Sequence, residues 1–400
     1  MRAGLSRIAI RVATAGSADV DLGGAAGTAS SSANGSRMFE SGEAMASSVL
    51  DGESDPNGLQ GLRAERRKQV KFVDEFGFMH FEDSGAQEAE QAKHYDAWRA
   101  RGGGSAAKAP RPRLDLRAGS GAKWNALLES FDASALRASG KVKRLVQAGV
   151  SPAARARFYY VLSGAAALER PGEYARLTGL PALAIYDVIE RDVARCYPDH
   201  VMFADASGAG QRQLRRILRA YAQYNQDIGY CQGMGRLVGL FLISGLAEEQ
   251  AFWVLAATIR NAIPRYYEPD LGGLREHTAV FEVLLHERSP RLAGHLAEQG
   301  CDALMYATPW FMTVFTLSLP WPAALRVWDW FMFRGPKVLF RVALGIADLA
   351  SAYLLEACPT IAELLGFLLH LPPALVDADV VIAAAARVKV SERHIERLIH

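Results

Sequence analysis

The sequence has almost no excess of either charge. Its 45 Lys and Arg face 43 Asp and Glu, a formal +2 over 400 residues. A balance this close argues against nucleic acid or an anionic membrane as the main partner. Cysteine is scarce as well: Cys196, Cys231, Cys301 and Cys358 stand far apart and form no C-x-x-C pair. That spacing points away from a metal site or a disulfide frame and toward buried thiols in a reducing, cytoplasmic setting. Period-two alternation of apolar residues is hard to find beyond a few positions, which removes the main signal for a sheet. Catalytic signatures are missing too. Neither "RGGGSAAK" nor "GSGAK" has the spacing of a phosphate loop. No G-x-S-x-G elbow or H-E-x-x-H pair occurs, and "HERSP" at His286 carries only the first two letters of the latter. His277, His286 and His295 recur at a spacing that one helix does not align, so they read as satisfied structural histidines.

What is present is helical pattern. Half the residues are hydrophobic, enough for a sizeable core. Leu214, Ile217, Leu218 and Tyr221, and again Phe252, Leu255 and Ile259, follow three- and four-residue spacing. Prolines and glycines cut the chain into helices of ordinary length, which predicts an all-α domain of roughly a dozen helices. The longest uncharged run, Ala303 to Leu325, approaches membrane-spanning length but contains Pro309, Pro320 and Pro322, so it reads as buried core rather than a transmembrane segment.

Composition divides the chain. Residues 1–60 are rich in Gly, Ala and Ser and lack the large apolar groups that repay ordering, which predicts a disordered tail. Its first residues carry Arg2, Arg7 and Arg11 with no acid before Asp19, a faint presequence pattern that a solvated start explains as well. Residues 61–100 are charged with scattered aromatics and predict a helical N-terminal segment around a kink at Phe76-Gly77-Phe78. Within it "VDEFGFMHFE" is either a tether to the domain or a helix end. Residues 101–122 read as a flexible linker, and 123–400 as the main domain.

Two stretches carry chemistry. In "IERDVARCYPDH", Asp192 and Arg195 are helical neighbours and Pro198 ends the helix just beyond. The pair is either an ordinary surface ion pair or a guanidinium presented at a helix end. In "DIGYCQGMGRL", Gly229 breaks the chain and Gln232 falls at or near the start of an apolar helix. An amide there either stabilises the turn or orients a water molecule, since it both donates and accepts.

Taken in order, these stretches resemble the TBC domain of Rab GTPase-activating proteins. The similarity begins in "GVSPAARARFYYVLSG", where Arg155 and Tyr159 occupy an R-x-x-x-W-like opening motif. It continues through I-x-x-D-x-x-R at Arg195 and Y-x-Q-G-M at Gln232. It then runs through "WFMTVFTLSLPWPAALRVWDWFMFRGPKVLFRVALGI" to the C-terminal "LPPALVDADVVIAAAARVKVS", covering about residues 140–400. The resemblance implies an all-helical domain supplying two catalytic side chains in trans to a GTP-bound Rab-family small GTPase. Arg195 matches the arginine finger and Gln232 the glutamine finger. Mg²⁺ and GTP belong to the partner, and no cofactor, metal site or independent catalytic activity is implied for this chain. Asp192, Tyr230, Gly233, Arg155 and Tyr159 become supporting or partner-binding residues, with Tyr230, Trp310, Trp328 and Asp329 read mainly as scaffold. Regulation of vesicle trafficking, from the cytoplasm or peripherally on endomembranes, is the implied role.

The chain departs from the family pattern at four positions. Tyr159 replaces a tryptophan and brings a hydroxyl that needs a partner. Cys196 and Tyr197 stand where Thr and Phe are common, and Gly235 replaces an Asn. Loss of that side chain beside Gln232 is expected to loosen the finger's placement. Two other classes of function stay open: a TBC-type scaffold that binds a small GTPase without accelerating hydrolysis, and a helical adaptor unrelated to GTPases.

Overall fold

A computed structural model of the chain describes residues 70–81, 86–103, 120–130 and 132–400. The tail expected at 1–60, and residues 104–119 of the expected linker, lie outside them.

The described residues begin with a hairpin, β1 (Val70–Val73) and β2 (Met79–Phe81), followed by α1 (Ala86–Ala100). Four helices open the main body: α2 (Ser120–Ser130), α3 (Ala133–Ala138), α4 (Gly140–Ala148) and α5 (Pro152–Ser163). Next come α6 (Glu173–Thr178), α7 (Tyr186–Arg195), α8 (Ala209–Tyr224), α9 (Met234–Ile243) and α10 (Glu248–Asn261). The C-terminal half holds α11 (Gly272–Arg288), α12 (Pro290–Glu298), α13 (Ala303–Met312) and α14 (Trp321–Arg334). It ends with α15 (Lys337–Ala357), α16 (Ile361–Leu369), α17 (Ala378–Arg387) and α18 (Glu392–Ile399).

The described helices outnumber the dozen expected because several are only one or two turns long. Side-chain caps start several of these, and a periodicity window is too wide to register a cap. Asp132 accepts from the Ala135 amide to start α3, and Ser139 accepts from Val142 to start α4. Thr360 and Glu363 form a capping box on α16.

Two expectations meet the structure directly. The segment around Phe76-Gly77-Phe78 is a hairpin turn and not a helix. Asp74 Oδ1 accepts from the amides of Phe76 and Phe78, both at 2.9 Å, and Gly77 takes a φ of +93° that closes the turn. The hairpin is also tethered to the domain: Phe78 forms an antiparallel bridge with His200. The following helix α1 docks independently, with Tyr95 and Trp98 packed edge-on against Tyr353 of α15 and Trp98 Nε1 donating to Glu356 at 3.1 Å.

The apolar run from Ala303 is core, as expected. It forms α13, turns through Val314 (φ +47°) and Phe315 (φ +63°), and re-enters as α14 behind Pro320. Among the described residues one helix, α15, is long and apolar enough to cross a membrane, but two thirds of its most apolar window (67%) is buried inside the protein. Five tryptophans, Trp124, Trp253, Trp310, Trp328 and Trp330, are fully buried. Trp328 meets Tyr159 and Phe241 at ring distances of 6.4 and 5.3 Å, which joins α14 to α5 and α9. This packed block sets the stage on which α7 and α9 present their ends.

Candidate functional site

Arg195 is the last residue of α7, and the helix is amphipathic: Ile189, Asp192 and Val193 are buried while the guanidinium reaches the surface. Its side chain is 28% exposed, against 5% for that of Asp192. Asp192 organises the site. Its Oδ1 accepts from Arg195 Nε at 2.7 Å and also contacts Nη2, a two-point grip that fixes the plane of the guanidinium. Its Oδ2 accepts from the Tyr230 hydroxyl. A carboxylate this deeply buried is tolerable only because both oxygens have partners. Burial and the adjacent Asp192 carboxylate push the Tyr230 phenol well above its ordinary range, so it stays a donor to Asp192 at any physiological pH.

Tyr230 opens the second loop. Asn225 caps the end of α8, its Oδ1 accepting from the Ile228 amide at 3.2 Å, and Gly229 (φ +59°) turns the chain toward Tyr230. Gln232 lies two residues before α9, on a turn, and Gly233 enters the helix at a φ of +100°, a conformation that side chains rarely adopt. The Gln232 Nε2 atom is buried without a hydrogen-bond partner among the described residues. Tertiary structure thus links the two loops through Arg195, Asp192 and Tyr230, residues whose pairing across 38 positions no local pattern announces.

The departures from pattern at Cys196 and Gly235 turn out to touch one another. A Cβ at position 235 would lie 2.5 Å from the Cys196 sulfur, far inside contact distance. The sequence leads one to expect a looser site from the missing side chain; in the structure its absence leaves the space in which Cys196, the residue after Arg195, seats against the first turn of α9. Tyr197 continues the seal. Its backbone is left-handed at φ +48°, its hydroxyl donates to the Arg236 carbonyl at 2.8 Å, and its ring lies on Gly239, where a Cβ would be 2.4 Å away. Burial pushes the Cys196 thiol up to about 11 and Cys231 to about 12, so neither is a nucleophile near neutral pH.

Arg155 and Tyr159 belong elsewhere. Arg155 Nε and Nη2 pair with the Asp329 carboxylate at 2.9 and 3.2 Å, and Nη2 also donates to the Val150 carbonyl at 2.7 Å. The Tyr159 hydroxyl finds its partner in Asp329 Oδ1 at 3.0 Å. All three side chains are buried, and their polar contacts run between α5 and α14 rather than to Arg195 or Gln232. This is a clasp within the scaffold, which withdraws Arg155 and Tyr159 from direct partner contact. Among the described residues no group of three His, Cys, Asp or Glu side chains is arranged to hold a metal ion. His277 and His295 are satisfied by Tyr266 (2.6 Å) and by the Cys358 carbonyl (2.9 Å).

Residues 154–355, about half of the chain, match the family model described as the Rab-GTPase-TBC domain. TBC1 domain family member 10A of Mus musculus is 33% identical over 355 residues, covering 88% of this chain and 65% of that protein. Carabin of Mus musculus is 35% identical over 293 residues, covering 72% and 66% respectively. The chain thus spans just under two thirds of the length of these two relatives. Among solved structures, the Chlamydomonas flagellar RabGAP TBC domain superposes with a TM-score of 0.60 at 26% identity, over 78% of this chain and 98% of that one.

Proposed function

Since this chain belongs to the Rab-GTPase-TBC domain family, we propose that it activates GTP hydrolysis by a Rab-type small GTPase, with Arg195 as arginine finger and Gln232 as glutamine finger. The single observation that carries this reading is the Arg195–Asp192–Tyr230 chain. It presents a guanidinium at a helix end and ties it to the turn bearing an amide whose nitrogen has no hydrogen-bond partner among the described residues.

The chemistry fits those two groups. Phosphoryl transfer asks the protein for positioning and charge stabilisation more than for covalent steps, and a planar guanidinium can bridge two oxygens of the transferring group. Asp192 grips Nε and Nη2 of Arg195 and thereby fixes the plane in which the partly exposed guanidinium is presented. A neutral amide at Gln232 supplies both a donor and an acceptor, enough to orient an attacking water without adding charge. Mg²⁺ and GTP come with the partner. Action in the cytoplasm or at an endomembrane surface, in control of vesicle trafficking, follows from a Rab substrate.

The test is binding to purified Rab GTPases loaded with GDP, with a GTP analogue, or with GDP and aluminium fluoride. An activator prefers the aluminium fluoride form, and Arg195→Ala or Gln232→Ala abolishes the preference. Equal binding to all three forms would instead mark a scaffold.

A further inference from the structure

The segment from Cys196 to Met202 follows Arg195 directly and contains no helix and only one bridging residue, His200. One side of it is held by Tyr197 against α9, as described above. The other side is held by the hairpin. The Met79 amide donates to the Asp199 carbonyl at 2.7 Å, and the Val201 amide donates to the Gly77 carbonyl at 2.9 Å. Between them His200 is buried and bonded at both ring nitrogens: Nδ1 accepts from the Met202 amide at 3.1 Å, so Nε2 carries the proton and donates to the Phe76 carbonyl at 2.9 Å. Phe78 fills the space above, with ring distances of 4.8 Å to His200, 5.1 Å to Trp321 and 6.3 Å to Tyr197. The turn is itself fixed, because Asp74 Oδ2 meets His80 Nε2 at 3.0 Å while Oδ1 holds the amides of Phe76 and Phe78.

These contacts begin two residues after the proposed finger. Pro198 offers no backbone donor, and Tyr197 occupies a left-handed conformation that costs energy unless its surroundings enforce it. The loop makes its own turn, with the Cys196 amide bonded back to α7 and the His200 amide donating to the Tyr197 carbonyl at 3.0 Å, and α9 and the hairpin clamp that turn from either side. We infer that the hairpin of residues 70–81 is part of the catalytic unit: through Phe78 and His200, acting as positioning residues, it fixes the loop behind Arg195 and so holds the finger in place. The inference rests on the reading of Arg195 as the finger.

The experiment is single-turnover GTP hydrolysis by whichever Rab GTPase the full chain accelerates, with the concentration of this protein varied. Three variants separate the contacts. Phe78→Ala removes the wedge. His200→Asn keeps an acceptor near the Nδ1 position but loses the link to Phe76, whereas His200→Gln keeps a donor near the Nε2 position and so preserves that link. Displacements of about an ångström in a catalytic group can cost roughly a hundredfold, so Phe78→Ala and His200→Asn are expected to lower the maximal rate about ten- to a hundredfold. The half-saturating concentration should stay within about twofold, and His200→Gln should retain most of the rate. In an Arg195→Ala background none of the three should lower the rate further, since a positioning residue acts only through the group it positions. Thermal melting of each variant confirms folding at the assay temperature, and Phe78→Leu serves as the milder change if Phe78→Ala melts too low.

An unchanged maximal rate, or losses of equal size with and without Arg195, would overturn the inference. So would an effect confined to the half-saturating concentration, which would mean that the exposed Val70, Phe72 and Val73 of β1 dock the partner instead. Failure of the underlying reading looks different: the unsubstituted chain would accelerate no GTPase at all, or Arg195→Ala alone would leave the acceleration intact.

Discussion

Gly235→Ala is the substitution on which local and tertiary reasoning disagree in sign. Gly235 sits in the first turn of α9, where alanine gains up to about 1 kcal/mol of helix propensity. Against that, the new methyl would lie 2.5 Å from the buried Cys196 sulfur, with Leu218 and the Tyr230 hydroxyl each 3.8 Å away. Ordinary contact is about 3.5–4.0 Å, so helix or loop must part by about 1 Å or more. Overpacking of this kind typically costs about 1–3 kcal/mol. The net expectation is destabilisation of about 1–2 kcal/mol, read as a lower urea midpoint at unchanged slope. Because Cys196 is bonded to Arg195, the same displacement moves the finger and should cut activation of a responsive GTPase by about tenfold or more. Adding Cys196→Ala removes the sulfur that the methyl strikes. The double variant should recover most of both losses, giving a coupling energy of about 1–2 kcal/mol in a double-mutant cycle. If Gly235→Ala stabilises the protein and leaves activity untouched, the seating of Cys196 on α9 is not as described and the reasoning fails.

Other expectations follow from the same geometry. Arg155→Ala strands the buried Asp329 carboxylate and should cost about 3–5 kcal/mol in denaturant unfolding, with any folded fraction retaining activity. Tyr230→Phe removes a hydrogen bond to a charged group and should lower stability by about 1.5–3 kcal/mol; kinetics should show a reduced maximal rate at nearly constant half-saturation. Burial lowers His277 to about 4, so its folded form prefers the neutral ring. Its contribution is complete above the unfolded value near 6.5 and is lost as pH falls through about 4, a loss of about 3 kcal/mol. Chemical denaturation between pH 7 and pH 4 should show that slope in the parent chain and a shallower one in His277→Asn.

The helical class was legible because its cause is local: apolar residues at three- and four-residue spacing need no partner to be recognised. The same holds for the two site stretches, where a proline or glycine break falls next to each chemical group. What sequence could not supply was pairing at a distance. Tyr230 read as scaffold, yet its hydroxyl completes Asp192 across 38 residues. Arg155 and Tyr159 read as supporting or partner-binding residues, but Asp329 claims both, 174 and 170 residues away. Gly235 read as a loosening because a missing side chain looks like a loss, and only the position of the Cys196 sulfur shows it to be a fit. The hairpin was missed for a related reason. Four residues of β1 and three of β2 are too few for alternation to stand out, and the bonds that secure them come from Asp199, His200 and Val201. A turn signal was present in Asp74 and Gly77, and it gives the shape of the segment without its destination.

On the proposed function, Arg195 and Gln232 act together on a partner's GTP. The most direct test of this is single-turnover hydrolysis by a panel of Rab GTPases with the parent chain, Arg195→Ala and Gln232→Ala. Strong acceleration of one or a few of them is expected, with an arginine-finger loss on the order of 10³–10⁵ for Arg195→Ala and a large loss for Gln232→Ala. Acceleration that survives either substitution, or none from folded parent protein across a broad panel, would contradict it.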